Sequence, residues 1–177
     1  MEEQIQKARK KKLKIHKKYI MKEKQIEIDF TSEDPKVARQ PGIRWAPRDA
    51  TPEEQFKFAL ELALKRKYDE AELALNEFMT INSTHERNKD AHYWYGGVLF
   101  KQKKYEDSAF SDIDFNDKYP DDPRTVDTTL RIAQAMSYVA PPEQACTVFE
   151  NSLNFIVDPP ERFVRKINEL KADKACD

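Results

Sequence analysis

Three histidines, two cysteines and one acidic run are the side chains of this 177-residue chain whose types could do chemistry. His16, His85 and His92 could ligate a metal or move a proton, but none stands at ligand spacing from another histidine or from a cysteine. Cys146 and Cys176 belong to no CxxC pair and to no Cys/His cluster, which argues against structural zinc. Two readings stay open for them: one helix-packed thiol and one tail thiol, or a disulfide tying the tail to the third repeat unit, which requires an oxidising compartment. The run Ser111-Asp-Ile-Asp-Phe-Asn-Asp117 has the carboxylate density of a calcium loop. It lacks the central glycine and terminal glutamate at the required offsets, and it falls inside an expected helix. No Walker, GxGxxG or GxSxG pattern occurs, and nothing sets a nucleophile beside a base and an oxyanion donor. The expectation is a protein with no catalytic centre, no cofactor and no metal, whose work is done by a surface.

That surface has to be built by the stretch Asp90-Ala-His-Tyr-Trp-Tyr-Gly-Gly-Val-Leu-Phe-Lys-Gln-Lys-Lys-Tyr-Glu-Asp-Ser108 and its counterparts. It reads as one helix, a turn and the start of a second helix. Gly96 is misplaced by propensity, since glycine inside a helix costs about 1 kcal/mol against alanine. Close approach of another backbone would explain it. Shifting the frame by 37 residues either way repeats the pattern in six columns: Phe56/Tyr93/Leu130, Phe58/Tyr95/Ile132, Ala59/Gly96/Ala133, Leu62/Leu99/Met136, Tyr68/Tyr105/Pro142 and Ala71/Ser108/Ala145. Small, aromatic and small residues at this spacing mark a tetratricopeptide (TPR) type of helical hairpin, occurring three times. In the third unit Pro141-Pro142 replaces the aromatic and fixes the turn by ring geometry.

Charged residues at 36% and only three glycines favour helices over a turn-rich sheet. A net charge of −1 gives the whole molecule no bias toward nucleic acid or anionic lipid, and no apolar run reaches the length of a membrane span. The N-terminus is basic with no apolar segment after it, which by itself points to the cytoplasm. Residues 1–30 hold ten Lys/Arg and five Asp/Glu, with a 3-4 spaced seam of Ile5, Ala8, Lys12, Ile15, Tyr19, Lys22 and Ile26. This is a solvated basic arm, a short self-associating coiled coil, or an arm for anionic partners. Residues 31–51 form a Pro-rich linker carrying Trp45, read as docking on the repeats or else as meeting a partner. Residues 52–177 form the repeat domain. Its helices are expected at about 52–65, 69–81, 88–102, 105–118, 124–139 and 142–156, and a last one from Glu161 to about Leu170 caps the exposed end through Phe163, Val164 and Ile167. The fold class is all-α: a superhelix of three hairpins plus a capping helix, preceded by the arm.

Stacked hairpins present a concave face lined by their first helices. Its expected lining is Phe56, Leu60 and Leu64 from the first unit; Asp90, Tyr93, Gly97, Phe100 and Lys101 from the second; and Asp127, Leu130, Gln134 and Tyr138 from the third. Aromatics rimmed by charge suit a peptide or helix ligand.

The phrases Thr51-Pro-Glu-Glu-Gln-Phe-Lys-Phe-Ala59, Tyr68-Asp-Glu-Ala-Glu72, Ala91-His-Tyr-Trp-Tyr-Gly96, Lys118-Tyr-Pro120 and Gln144-Ala-Cys146 resemble the C-terminal domain of the YbgF/CpoB family of the bacterial Tol-Pal system. BamD-like lipoprotein assembly factors share much of the pattern. The resemblance covers roughly 51–157. It implies a periplasmic, non-enzymatic adaptor that binds the TolA protein and coordinates outer-membrane constriction with septal peptidoglycan synthesis at division. It also implies a trimerising coiled coil and a linker ahead of the repeats, the order met in residues 1–51. Export would make the Cys146–Cys176 disulfide plausible. The alternative is a cytosolic TPR adaptor whose basic arm contacts nucleic acid or a ribosomal surface.

Overall fold

A computed structural model describes residues 50–176. The arm over 1–30, its seam and His16, and Trp45 with nearly all of the linker lie outside the described residues. Among the described residues there are seven helices and no strand. They are α1 (Pro52–Leu64), α2 (Tyr68–Ile81), α3 (Asn88–Lys101), α4 (Tyr105–Lys118), α5 (Thr125–Val139), α6 (Pro142–Phe155) and α7 (Glu161–Asp173). The second helices of the three hairpins begin at Tyr68, Tyr105 and Pro142, so the 37-residue period is kept in space.

Local chemistry sets the helix ends. Thr51 caps α1 in a capping box with Glu54: the Thr51 hydroxyl accepts from the Glu54 N–H, and the Thr51 N–H donates to the Glu54 carboxylate at 2.8 Å. Pro52 takes the first helical turn, where its missing N–H costs nothing. The first two turns are Schellman closures built without glycine. Lys67 N–H donates to Leu62 C=O and Arg66 N–H to Ala63 C=O; Lys104 and Lys103 repeat this on Leu99 and Phe100. Arg66 and Lys103 are left-handed, with φ of 61° and 63°. The third turn has no such closure. Ala140 and Pro141 are extended, and α6 starts on Pro142.

Side chains at the two small-residue columns meet between the rods. Ala59, Ala133, Ala71, Ser108 and Ala145 are all 0% exposed, and Gly96 is buried with them. Three apolar clusters each draw on successive hairpins. Phe56, Leu75 and Phe78 join Ala91 and Val98 of the second hairpin; Ile113 joins Ile132 and Val148; Ala133, Ala145 and Phe149 join Phe163 and Ile167 of α7. No hairpin has a private core, so they are stable only as a stack. Phe163 and Ile167 are fully buried, with Val164 and Leu170 half-buried beside them, while the opposite side of α7 is mostly charged and exposed, which makes α7 the cap. Each such side chain contributes about 2–3 kcal/mol on burial.

Curvature follows from which helices touch. The backbones of α1 and α3, of α3 and α5, and of α5 and α7 lie close together, whereas those of α2, α4 and α6 stand apart from one another. The first helices therefore form the inner wall and the second helices fan out behind them.

Candidate functional site

The inner wall reads in rows, because positions 37 residues apart lie at the same height on α1, α3 and α5. The lowest row is acidic: Glu53, Asp90 and Asp127. Each carboxylate meets an arginine from the approach to the next helix or from its first turn. Arg87 reaches Glu53 at 3.2 Å, Arg124 reaches Asp90 at 2.8 Å, and Arg162 reaches Asp127 at 3.3 Å. Arg124 is the most engaged. It also pairs with Asp122 at 2.8 Å and lies over the ring of Tyr93 at 5.0 Å. Hydrogen bonds from Arg124, with help from Lys89, hold the Asp122 carboxyl well below the usual carboxylate range. Asp90 and Asp127, expected in the groove, thus spend their charge stitching hairpins together.

The middle rows are partly closed. Phe56 is only 7% exposed and belongs to the core, its ring 5.6 Å from that of Phe78. Leu60 and Leu130 are half-buried against the core. Tyr93 is held between the Arg124 and Arg131 guanidinium groups. Gly97 lies under Arg131: a Cβ there would stand 3.0 Å from its Nη1. Gln134 is half-buried in the same row.

Gly96 is needed for a different reason from the expected one. What approaches it is not backbone but the Asp112 carboxylate, with which a Cβ would collide, and the Arg131 guanidinium behind it. Arg131 grips Asp112 in two bonds, Nε to Oδ2 at 2.6 Å and Nη2 to Oδ1 at 2.5 Å, and donates to Tyr93 C=O at 3.1 Å. The Ser108 hydroxyl donates to Gly96 C=O at 2.9 Å, fixing the hairpin from the other side. Asp112 is 0% exposed. Burial pushes its carboxyl up, to about 6, against the lowering pull of Arg131. Burial also works against the charge on Arg131, and Asp112 outweighs it. A guanidinium does not deprotonate in practice, so the carboxyl is the half of the pair that titrates.

The top row, Leu64, Lys101 and Tyr138, is the open one. Leu64 and Tyr138 are each 64% exposed, and Lys101 is exposed between them. Tyr138 stacks on Tyr105 with centroids 4.3 Å apart and planes 15° from parallel, and Phe100 meets Tyr105 edge-on at 5.3 Å. The sequence reading placed Tyr138 and Phe100 on this face and left out Tyr105, which reaches it from α4.

The residues singled out for chemistry resolve simply. Cys146 and Cys176 are disulfide-bonded across 30 residues, with Cα atoms 5.6 Å apart, so the second of the two readings holds. The bridge fastens the tail beyond α7 to α6, beside a Lys171–Glu150 ion pair. His92 is packed edge-on to Phe115, and burial lowers its pKa. The His85 Nδ1 accepts from the Arg87 N–H at 3.2 Å. The acidic run lies within α4, where Asp112 faces inward and Asp114 and Asp117 face solvent, so its carboxylates diverge. No helix among the described residues is long and apolar enough to cross a membrane.

Neither a protein-family model nor a curated protein matches the chain.

Proposed function

We propose that this chain is a non-enzymatic, protein-binding adaptor built on a TPR-like scaffold. The observation that carries the reading is the inner wall itself. Contiguous first helices set against fanned second helices leave a curved face whose top row keeps a leucine and a tyrosine largely in solvent. Large side chains aligned in one row along a curved wall suit a protein contact.

The finer reading places the adaptor in the Tol-Pal envelope machinery, joining outer-membrane constriction to septal peptidoglycan synthesis. It is supported by the quoted sequence phrases and by the disulfide, which fits an exported protein better than a cytosolic one. The test is capture of a TolA-type partner by the purified oxidised chain. Saturable binding, weakened by substitutions in the top row, is expected. No saturable binding of that partner would sink the reading.

A further inference from the structure

The helix that closes the stack is fastened at its far end by a covalent bond, and its other fastenings are few. α7 has 13 residues, too short to persist as a helix in water by itself. It is held on α5 and α6 by the buried side chains of Phe163 and Ile167, by half-buried Leu170, and by two surface ion pairs, Arg162–Asp127 and Lys171–Glu150. Left-handed residues flank it on both sides: Asp158 before it, with φ of 49°, and Ala175 after it, with φ of 54°. That backbone region is costly for a residue with a Cβ, and more so for alanine than for aspartate. At the tail, Ala175 N–H donates to Ala172 C=O and Cys176 N–H to Lys171 C=O, a closure that turns the chain back and sets Cys176 against Cys146 of α6. The bridge is within reach of solvent. Both cysteines are half-buried, and they line a surface groove with Glu143, Thr147, Glu150 and Lys174. Glu150 is paired with Lys171, and Glu143 and Lys174 are of opposite sign, so the groove favours neither charge in what enters it.

We propose that the Cys146–Cys176 bridge is a redox latch on the cap: oxidised, it holds α7 on the third hairpin; reduced by a dithiol, it lets α7 lift and uncover Phe149 and the apolar residues clustered with it. A thiolate of the dithiol attacks one sulfur of the bridge, forming a mixed disulfide and releasing the other cysteine as a thiolate. The dithiol's second sulfur, as a thiolate, then displaces the remaining cysteine. The dithiol leaves as a disulfide, two electrons have passed to the bridge, and two protons end on Cys146 and Cys176. Once free, the tail gives up its left-handed turn and the short helix frays, because two buried side chains and two surface ion pairs are what remains to keep it in place. The latch works at the end of the stack and stands whether or not the top row takes a partner.

The test is amide hydrogen–deuterium exchange, followed by mass spectrometry, on the full-length chain, oxidised and after dithiothreitol under native conditions. The variant Cys146→Ser with Cys176→Ser, which has no bridge in either condition, is the second sample. Reduction should speed exchange in α7 by roughly a hundredfold or more, since the bridge closes a 30-residue loop, and by more than in α1–α4, so that the cap opens ahead of the rest. Continued protection of α1–α4 reports that both samples stay folded. The double variant should exchange α7 like the reduced chain and should not respond to dithiothreitol. A dye that fluoresces on apolar surface should brighten on reduction and dim when the bridge re-forms. α7 amides as protected after reduction as before it would overturn the proposal. So would one common factor of acceleration across α1–α7, the behaviour of a brace on the whole stack. A bridge that dithiothreitol reduces only in the unfolded chain, read by thiol alkylation, would overturn it as well.

Discussion

The pair of Asp112 and Arg131 makes the second hairpin unlike the first, and substituting it tests how the stack is held. Asp112 occupies the column of Leu75 and Phe149, all three 0% exposed, so a carboxylate stands where the neighbouring units keep an apolar core. Removing only the carboxylate with Asp112→Leu leaves Arg131 with 14% of its side chain exposed and without its ion-pair partner, Asp127 acting on it only from a distance. That should cost about 3–5 kcal/mol, the usual penalty for an orphaned buried ion. Removing both, Asp112→Leu with Arg131→Leu, should fall between neutral and about 4 kcal/mol more stable, because two desolvated charges are replaced by apolar volume. Adding Gly96→Ala to the double variant restores the Leu75/Ala59 pairing of the first hairpin and should add about 1 kcal/mol of helix propensity. Alone, with Asp112 in place, Gly96→Ala should instead destabilise through collision with the carboxylate. The assay is urea unfolding with the slope checked for constancy. Costs for the two single variants that simply add in the double variant would refute the reasoning, since they would mean the groups are uncoupled. Linkage supplies a second reading. The folded pKa of about 6 lies above the ordinary 3.8, so this carboxyl favours the fold most below about pH 4 and its advantage is lost as pH rises through 6. The stability of wild type minus that of the double variant should therefore fall as pH rises from 4 to 7.

Reducing the Cys146–Cys176 bridge, or Cys146→Ser with Cys176→Ser, should cost about 3–4 kcal/mol, since the bridge closes 30 residues; differential scanning calorimetry would show it as a lower Tm. Arg66→Gly and Lys103→Gly should each stabilise by about 0.5–1 kcal/mol in chemical denaturation, because φ values of 61° and 63° strain any residue with a Cβ; a loss would mean the turns are not left-handed. Arg124→Ala should cost about 1–2 kcal/mol, as it severs pairs to Asp90 and Asp122 and uncovers Tyr93, whereas Arg162→Ala, 70% exposed beside a half-exposed Asp127, should cost less than about 0.5 kcal/mol in the same assay.

The architecture was legible because burial acts on every unit alike. A rod that must touch its neighbour needs a small side chain at the crossing, and Ala59, Gly96 and Ala133 announce those crossings at equal spacing. The groove was less legible because facing inward and facing a ligand give the same periodicity. Phe56 and Leu64 both fit the helical stripe of α1, yet one fills the core and the other stands in solvent. Only the packing of α2 and α3 around the first distinguishes them. The charged contacts were written in the columns but not read there. Glu53, Asp90 and Asp127 share one column, and Arg87 and Arg124 share another, so a ladder between hairpins was available from spacing alone. Asp112 among Leu75 and Phe149 was the sharper signal. An acid in an otherwise apolar column demands a cation, and Gly96 replaces alanine only in the hairpin where that acid occurs. The two departures from the repeat are one event. The unit that gave up its apolar core position also gave up a Cβ, and both changes make room for an arginine that reaches back from the next hairpin. That arginine covers Gly97, half-closes the middle of the inner wall, and leaves the top row as the part of the face still open to a partner.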